Sequence, residues 1–105
     1  MENLSTEDFE DMKNREDFVL IDVLSREQFE DGHIPGAINI PYDQVGDIVE
    51  KLLTHDQNIV VYCASEGCGA SETAAEKLED LGFSNVMDYE AGKQGWQEAG
   101  HELEA

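Results

Sequence analysis

Positive charge is scarce in this chain. Six lysines and arginines stand against 25 aspartates and glutamates, which leaves a net charge of −19 over 105 residues. A surface of that sign repels polyanions, so neither nucleic acid nor an anionic membrane is an expected partner, while a basic protein partner remains open. Cysteine is scarce as well. Cys63 and Cys68, five positions apart, make no secreted disulfide framework, and His33, His55 and His101 are too scattered to complete a zinc site with them. No apolar run approaches the ~18 residues that a membrane span needs, and Met1 is followed by Glu2 rather than by a basic and apolar leader. These absences lead to the expectation of a soluble, cytoplasmic chain, a monomer or weak dimer without a bound metal. Internal repeats, low-complexity tracts and interdomain linkers are missing too.

The acids are spread from Glu2 to Glu104 between apolar positions rather than gathered in a tail, as on the surface of a folded domain. A salt-adapted source, an ordinary acidic protein and a basic docking partner would each account for them. A length of 105 residues fits one domain, 1–105, able to bury roughly two-thirds of the surface its unfolded chain exposes.

The most informative stretch is Asn58-Ile59-Val60-Val61-Tyr62-Cys63-Ala64-Ser65-Glu66-Gly67-Cys68-Gly69-Ala70-Ser71. A β-branched apolar strand ends at a cysteine, a small-residue loop with two glycines follows, and Ser71 is placed to cap a helix over 72–81. Backbone N–H groups in such a loop and at a helix start favour negative charge above them. A thiolate at Cys63 would be stabilised there, below the free value of ~8.5, and the thiolate is the nucleophile. Cys63 is therefore the candidate nucleophile, expected to have a lower pKa than Cys68. The backbone of Ala64, Ser65, Glu66, Gly67, Cys68, Gly69 and Ala70 is the candidate cradle for an anionic substrate.

Along the rest of the chain, Ser5 precedes a short helix carrying Phe9 and Met12, with an acid three residues after the cap. Phe18 to Val23 is a nearly continuous apolar run, the mark of a strand covered on both faces in a parallel sheet. Ser25 caps a short helix, Arg26 to Asp31, which Gly32 stops. Gly32-His33-Ile34-Pro35-Gly36 turns into a short strand, Ala37 to Ile40, closed by Pro41. Val45, Ile48, Val49, Leu52 and Leu53 line one face of a helix between Tyr42 and Leu53. The helix after the cysteine loop carries Ala74, Ala75, Leu78 and Leu81 and ends at Gly82. A strand over 85–89 and a helix over 92–99 with Trp96 complete the chain. Strands alternate with helices, which predicts an α/β fold with a parallel sheet and ligands at the carboxyl ends of its strands.

Four pieces of this pattern, in order, resemble the rhodanese-like domain superfamily. Leu20-Ile21-Asp22-Val23 with Glu27, Phe29 and Gly32 to Pro41 is similar to the family's amino-terminal signature, and Val60-Val61-Tyr62-Cys63 to the strand that delivers its active cysteine. Ser71, Ala74, Ala75, Leu78 and Gly82-Phe83 resemble the helix after the active loop, and Tyr89, Gly92, Trp96 and Ala99-Gly100 the carboxyl-terminal box. The resemblance implies a rhodanese-like three-layer fold with a central parallel sheet of about five strands and helices on both faces. It further implies sulfurtransferase chemistry: Cys63 takes sulfane sulfur from a small anionic donor such as thiosulfate, carries it as a persulfide and passes it to a thiol acceptor. No metal or organic cofactor is implied.

Two departures stand out. The arginine that the family's commonest loop places before the serine resembling Ser71 is Ala70 here, and Leu24 replaces the arginine two positions after the aspartate resembling Asp22. The loop is also about two residues longer than the usual sulfurtransferase loop. In relatives such a width goes with phosphate- or arsenate-sized ligands, but those relatives keep the arginine, which removes most support for a phosphatase. Cys68 stands either as a cysteine that resolves a persulfide or sulfenate, or as a small residue packed under the loop. Glu66 is out of place in an anion cradle and is expected to point outward. His33 and Asp22 are read as structural hydrogen-bonding residues. Two rivals to sulfur transfer remain: a thiol redox protein cycling Cys63 and Cys68 and reducing an oxyanion such as arsenate, and a non-catalytic binding module.

Overall fold

The strand that delivers Cys63 is apolar at every position because helices cover both of its sides. In the computed structural model, which describes residues 2–15 and 17–105, Ile59 and Val61 face one helical layer and Val60 and Tyr62 the other, and all four are buried completely. The elements run β1 (Glu2–Leu4), α1 (Thr6–Arg15), β2 (Val19–Asp22), α2 (Arg26–Asp31), β3 (Ile38–Asn39), α3 (Val45–Leu52), β4 (Ile59–Tyr62), α4 (Ala70–Asp80), β5 (Val86–Tyr89) and α5 (Gly92–Glu98). The five strands form one sheet in the order β1-β5-β4-β2-β3, with every neighbouring pair parallel. All carboxyl ends therefore lie along one edge, with β4 in the middle of it.

Each face has its own core. On one side Val45 and Val49 of α3 and Ala74, Ala75 and Leu78 of α4 pack on Ile21, Ile59, Val61 and Cys63. On the other, Phe9 and Met12 of α1 and Trp96 of α5 pack on Leu20, Val60, Tyr62 and Tyr89, with the Phe9 ring stacked on Tyr89 at 4.5 Å between centroids. Each fully buried valine, leucine, isoleucine or phenylalanine among them contributes about 1.5–3 kcal/mol by leaving water. Small residues at 74 and 75 let α4 lie close over β4, which fixes the helix start against the cysteine loop.

Local chemistry sets the element ends. Ser5 Oγ accepts from the Asp8 amide at 3.0 Å ahead of α1, and Ser25 accepts from the Gln28 amide at 3.3 Å in a capping box that starts α2. Four details differ from the sequence reading. β1 was not anticipated: a three-residue edge strand with only Leu4 buried is too short to show a periodicity. The strand expected over 37–40 is regular only at Ile38–Asn39. α3 starts at Val45 rather than Tyr42, because the Gln44 amide closes a turn onto the Pro41 carbonyl at 2.9 Å. α4 is capped by Gly69 rather than Ser71. Gly69 adopts φ +81°, and its carbonyl accepts from the Thr73 amide at 3.1 Å, so the chain turns into the helix two residues early.

No helix among the described residues is long and apolar enough to cross a membrane. Acids outnumber bases about fourfold, and among the described residues Arg26 and Glu30 make an exposed i,i+4 pair at 3.4 Å while His55 and His101 pair with Glu50 and Glu10. Repulsion among the exposed carboxylates is screened by salt. The melting temperature is expected to rise by roughly 5 °C or more between low salt and molar sodium chloride, as relief of about 1 kcal/mol would give. A melting temperature flat or falling over that range, followed by circular dichroism, would count against a repulsive surface.

Candidate active site

Cys63 follows the last residue of β4, and its side chain is 1% exposed. Its carbonyl accepts the Lys93 amide at 3.1 Å and that of Ala64 accepts the Gln94 amide at 2.9 Å, so the first turn of α5 is docked on the start of the loop. The thiol donates to Ser71 Oγ at 3.5 Å and lies 3.9 Å from the Ser65 carbonyl. Ser71, expected as the helix cap, is instead a buried residue of α4 whose hydroxyl points back at the cysteine. The loop turns through Gly67 and Gly69, both at positive φ, with the Cys68 amide closing onto the Ser65 carbonyl at 3.2 Å.

The two sulfurs divide the site in a way the sequence reading did not foresee. Burial pushes the Cys63 thiol up, and its hydrogen bond to Cys68 does the same, against hydrogen bonds from the Ser71 hydroxyl and amide. Cys68 is exposed. Partial burial works against its ionisation, but the Cys63 S–H and the Ala70 and Ala64 amides all hydrogen-bond its sulfur, and the net direction is downward. The first thiolate of the pair therefore rests on Cys68, the reverse of the order expected, because the amides at both ends of the loop converge on Cys68.

The other loop residues take simpler places. Ala64, Ser65 and Ala70 are half-buried, and Glu66, Gly67 and Gly69 are exposed. Glu66 faces solvent as expected. Arg26, the first residue of α2, points outward to Glu30 and supplies no anchor for an anion. Lys93 Nζ is held by the Gln28 carbonyl. Asp22, fully buried at the end of β2, accepts from the Leu24 amide at 2.9 Å and the Tyr62 hydroxyl at 2.8 Å, and that hydroxyl in turn accepts the Ile34 amide at 3.0 Å. His33 Nδ1–H donates to the Phe29 carbonyl at 3.0 Å, the ring stacks on Phe29, and the His33 backbone pairs with Glu104. Both are structural, as their sequence contexts suggested.

Asp88 was not picked out by the sequence reading. It is 1% exposed on β5, in register with Val61, and one of its oxygens, Oδ1, has no hydrogen-bond partner. Burial pushes its carboxyl up, against a hydrogen bond from Ser71, and Glu90 and Glu72 add repulsion. An acid inside the apolar strand Val86-Met87-Asp88-Tyr89 was the available signal. A larger cavity of about 470 Å³ lies at the far side of the sheet among Glu2, Asp8, Asp11 and Arg15, remote from both cysteines.

This is a parallel α/β domain that presents a cysteine at a strand's carboxyl end, inside a glycine-bearing loop closed by the following helix. The chain belongs to the rhodanese-like domain family, whose profile matches residues 5–99. It is 34% identical over 100 residues to the adenylyltransferase and sulfurtransferase UBA4 of Meyerozyma guilliermondii, an alignment covering 90% of this chain but 23% of that protein. It is 35% identical over 91 residues to thiosulfate sulfurtransferase 16, chloroplastic, of Arabidopsis thaliana, covering 76% of this chain and 74% of the relative. Among solved structures, a thiosulfate sulfurtransferase from Pseudomonas aeruginosa superposes with a TM-score of 0.83 at 30% identity, over 98% of this chain and 20% of that one. The chain thus spans about a quarter of the UBA4 relatives it matches. Its relatives include proteins named as sulfurtransferases and a putative sulfur carrier protein.

Proposed function

We propose that the chain moves sulfane sulfur through a persulfide on Cys63. The observation that carries this reading is the setting of Cys63: a sulfur fixed at the end of β4, with the Ser71 hydroxyl and amide on it and the loop amides of Ala64 and Ala70 within the same cradle. The thiolate attacks the outer sulfur of a donor. With thiosulfate, the S–S bond breaks, sulfite leaves with the electron pair, and Cys63 carries S–S⁻. A thiolate acceptor then attacks that outer sulfur, and Cys63 leaves as thiolate. The hydrogen bonds at the sulfur hold charge in both halves. With no loop arginine and several acids nearby, a dianionic donor, thiosulfate and inorganic polysulfide alike, approaches against the field, and added salt should speed its approach.

Mass spectrometry of the intact protein and of its peptides tests this. Polysulfide or thiosulfate is expected to add one sulfur at Cys63, and to do so faster as added salt screens the acids around the loop. Sulfur found only on Cys68, or on neither cysteine, would overturn the assignment.

A second reading rests on the contact between the two thiols. Once Cys63 carries a persulfide, the Cys68 thiolate can attack the Cys63 sulfur, forming the Cys63–Cys68 disulfide and releasing the outer sulfur as hydrogen sulfide. The sulfane sulfur is reduced and the two cysteines are oxidised, so no further oxidant is needed. The loop then discharges its cargo internally whenever no acceptor arrives.

A further inference from the structure

A cavity of about 290 Å³ opens between the cysteine loop, the first turn of α4 and the end of β5. Four of its lining residues are acids: Glu66 from the loop, Glu72 from α4, and Asp88 and Glu90 from and just after β5. No lysine or arginine lines it. Three carboxylates on an open rim would be an ordinary solvated surface, but Asp88 is different. It is a carboxylate buried to 1% exposure, with Oδ1 unpartnered, at the floor of a polar cavity. A buried acceptor without a donor is costly, and a ligand that brings N–H groups and positive charge removes that cost.

The cavity stops one side chain short of the sulfur. Ser71 lines it, and the Ser71 hydroxyl is 3.5 Å from Cys63 Sγ. Asp88 lies beside Val61, two residues before Cys63 on the same face of the sheet, which sets the two side chains' Cα atoms roughly 8 Å apart by strand spacing and rise. That separation suits a small molecule with a cationic group at one end and a sulfur at the other. An acceptor must attack as a thiolate. A second negative charge beside Glu66, Glu72, Asp88 and Glu90 is disfavoured unless the acceptor carries its own compensating charge.

We propose, resting on the sulfur-transfer reading above, that this cavity seats the ammonium group of a small aminothiol acceptor, with Asp88 Oδ1 taking one of its N–H donors. In the step it serves, the aminothiol's thiolate attacks the outer sulfur of the Cys63 persulfide. The S–S bond breaks, Cys63 departs with the electron pair, and the aminothiol leaves as a persulfide. The ammonium is not consumed.

Two arms test this. In a Cys68→Ser background, Cys63 is modified with two methanethiosulfonates that differ only in carrying a trimethylammonium or a sulfonate group. The cationic reagent is expected to react roughly tenfold faster, and Glu72→Gln/Glu90→Gln and Asp88→Asn are each expected to cut that ratio several-fold. Intrinsic reactivity cancels, because the same two reagents are compared across variants. The rim double variant changes only half-buried and exposed positions and keeps the test valid if Asp88→Asn fails to fold. A ratio near one, or one the carboxamides leave unchanged, overturns the proposal whatever the protein's activity.

In the second arm Cys63 is loaded with polysulfide and discharged with cysteamine or 2-mercaptoethanesulfonate. The rate ratio is expected to fall in the same variants, and a ratio that does not fall overturns the acceptor assignment. Failure to load at all defeats the sulfur-transfer reading and the acceptor role together, whereas loading without charge preference defeats the cavity alone.

Discussion

Cys63→Ser is expected to lower sulfur uptake at position 63 by on the order of 100-fold or more, because a hydroxyl at neutral pH offers no anion there, and peptide mapping separates this loss from sulfur taken up by the exposed Cys68. Cys68→Ser is expected to take up sulfur as fast as the parent or faster. In the parent the first negative charge of the pair sits on Cys68, held by the Ala64 and Ala70 amides and by the Cys63 thiol, and that charge opposes ionisation of Cys63. Removing Cys68 lifts the opposition and frees the same amides to receive the substrate. The persulfide of the variant should also persist, since no internal thiolate remains to release it as sulfide. A mass-spectrometric time course after polysulfide addition reads all three expectations, with a sulfide electrode for the released product. Alkylation of the parent at neutral pH should label Cys68 ahead of Cys63, the exposed thiolate before the buried thiol. Sulfur uptake by Cys63→Ser at the parent's rate, or loss of uptake in Cys68→Ser, would reverse the roles.

That reversal of pKa order shows where sequence stops being sufficient. The strand 59–62 was legible because it is apolar on both faces, and the parallel sheet followed from it. The turn Gly32 to Pro41 was legible because glycine permits, and proline fixes, the backbone angles of a turn locally. The position of Cys63 at a strand end was legible for the same reason. Which sulfur the loop amides reach is decided instead by Gly67 and Gly69 turning through positive φ, and by α4 beginning at Ala70. Ser71 satisfies every compositional rule for a cap, yet Gly69 takes that place, and the serine hydroxyl becomes a ligand of the thiol. Asp88 escaped because its role depends on β5 lying beside β4, a pairing of residues 27 apart in sequence for its partner Val61. Long-range register places it at the site, and local pattern does not contain register.

Gly92→Ala is the substitution expected to do most harm outside the cysteines. Gly92 opens α5 at φ +58°, and a Cβ there would stand 2.1 Å from the Cys63 carbonyl oxygen and 3.1 Å from the Ala64 carbonyl carbon. Neither neighbour is a side-chain tip that can swing aside. Both belong to the backbone leaving β4, and both residues' carbonyls are already bonded to the amides of Lys93 and Gln94. Alanine must therefore push α5 away from the loop, losing those bonds, as well as adopt a left-handed conformation. Left-handed strain costs about 1–2 kcal/mol and overpacking about 1–3 more, so a loss of roughly 3 kcal/mol and a melting temperature lower by roughly 10–20 °C are expected. Gly100→Ala is the control. It shares the positive φ, at +93°, but a Cβ there meets nothing within 4 Å, so it should show the backbone strain alone. Thermal denaturation of the two variants separates strain from collision. Cys63 should also become more accessible to alkylation in folded Gly92→Ala at low temperature, as the helix that buries the loop's base is displaced. Equal destabilisation by the two alanines would show that α5 does not press on the cysteine loop.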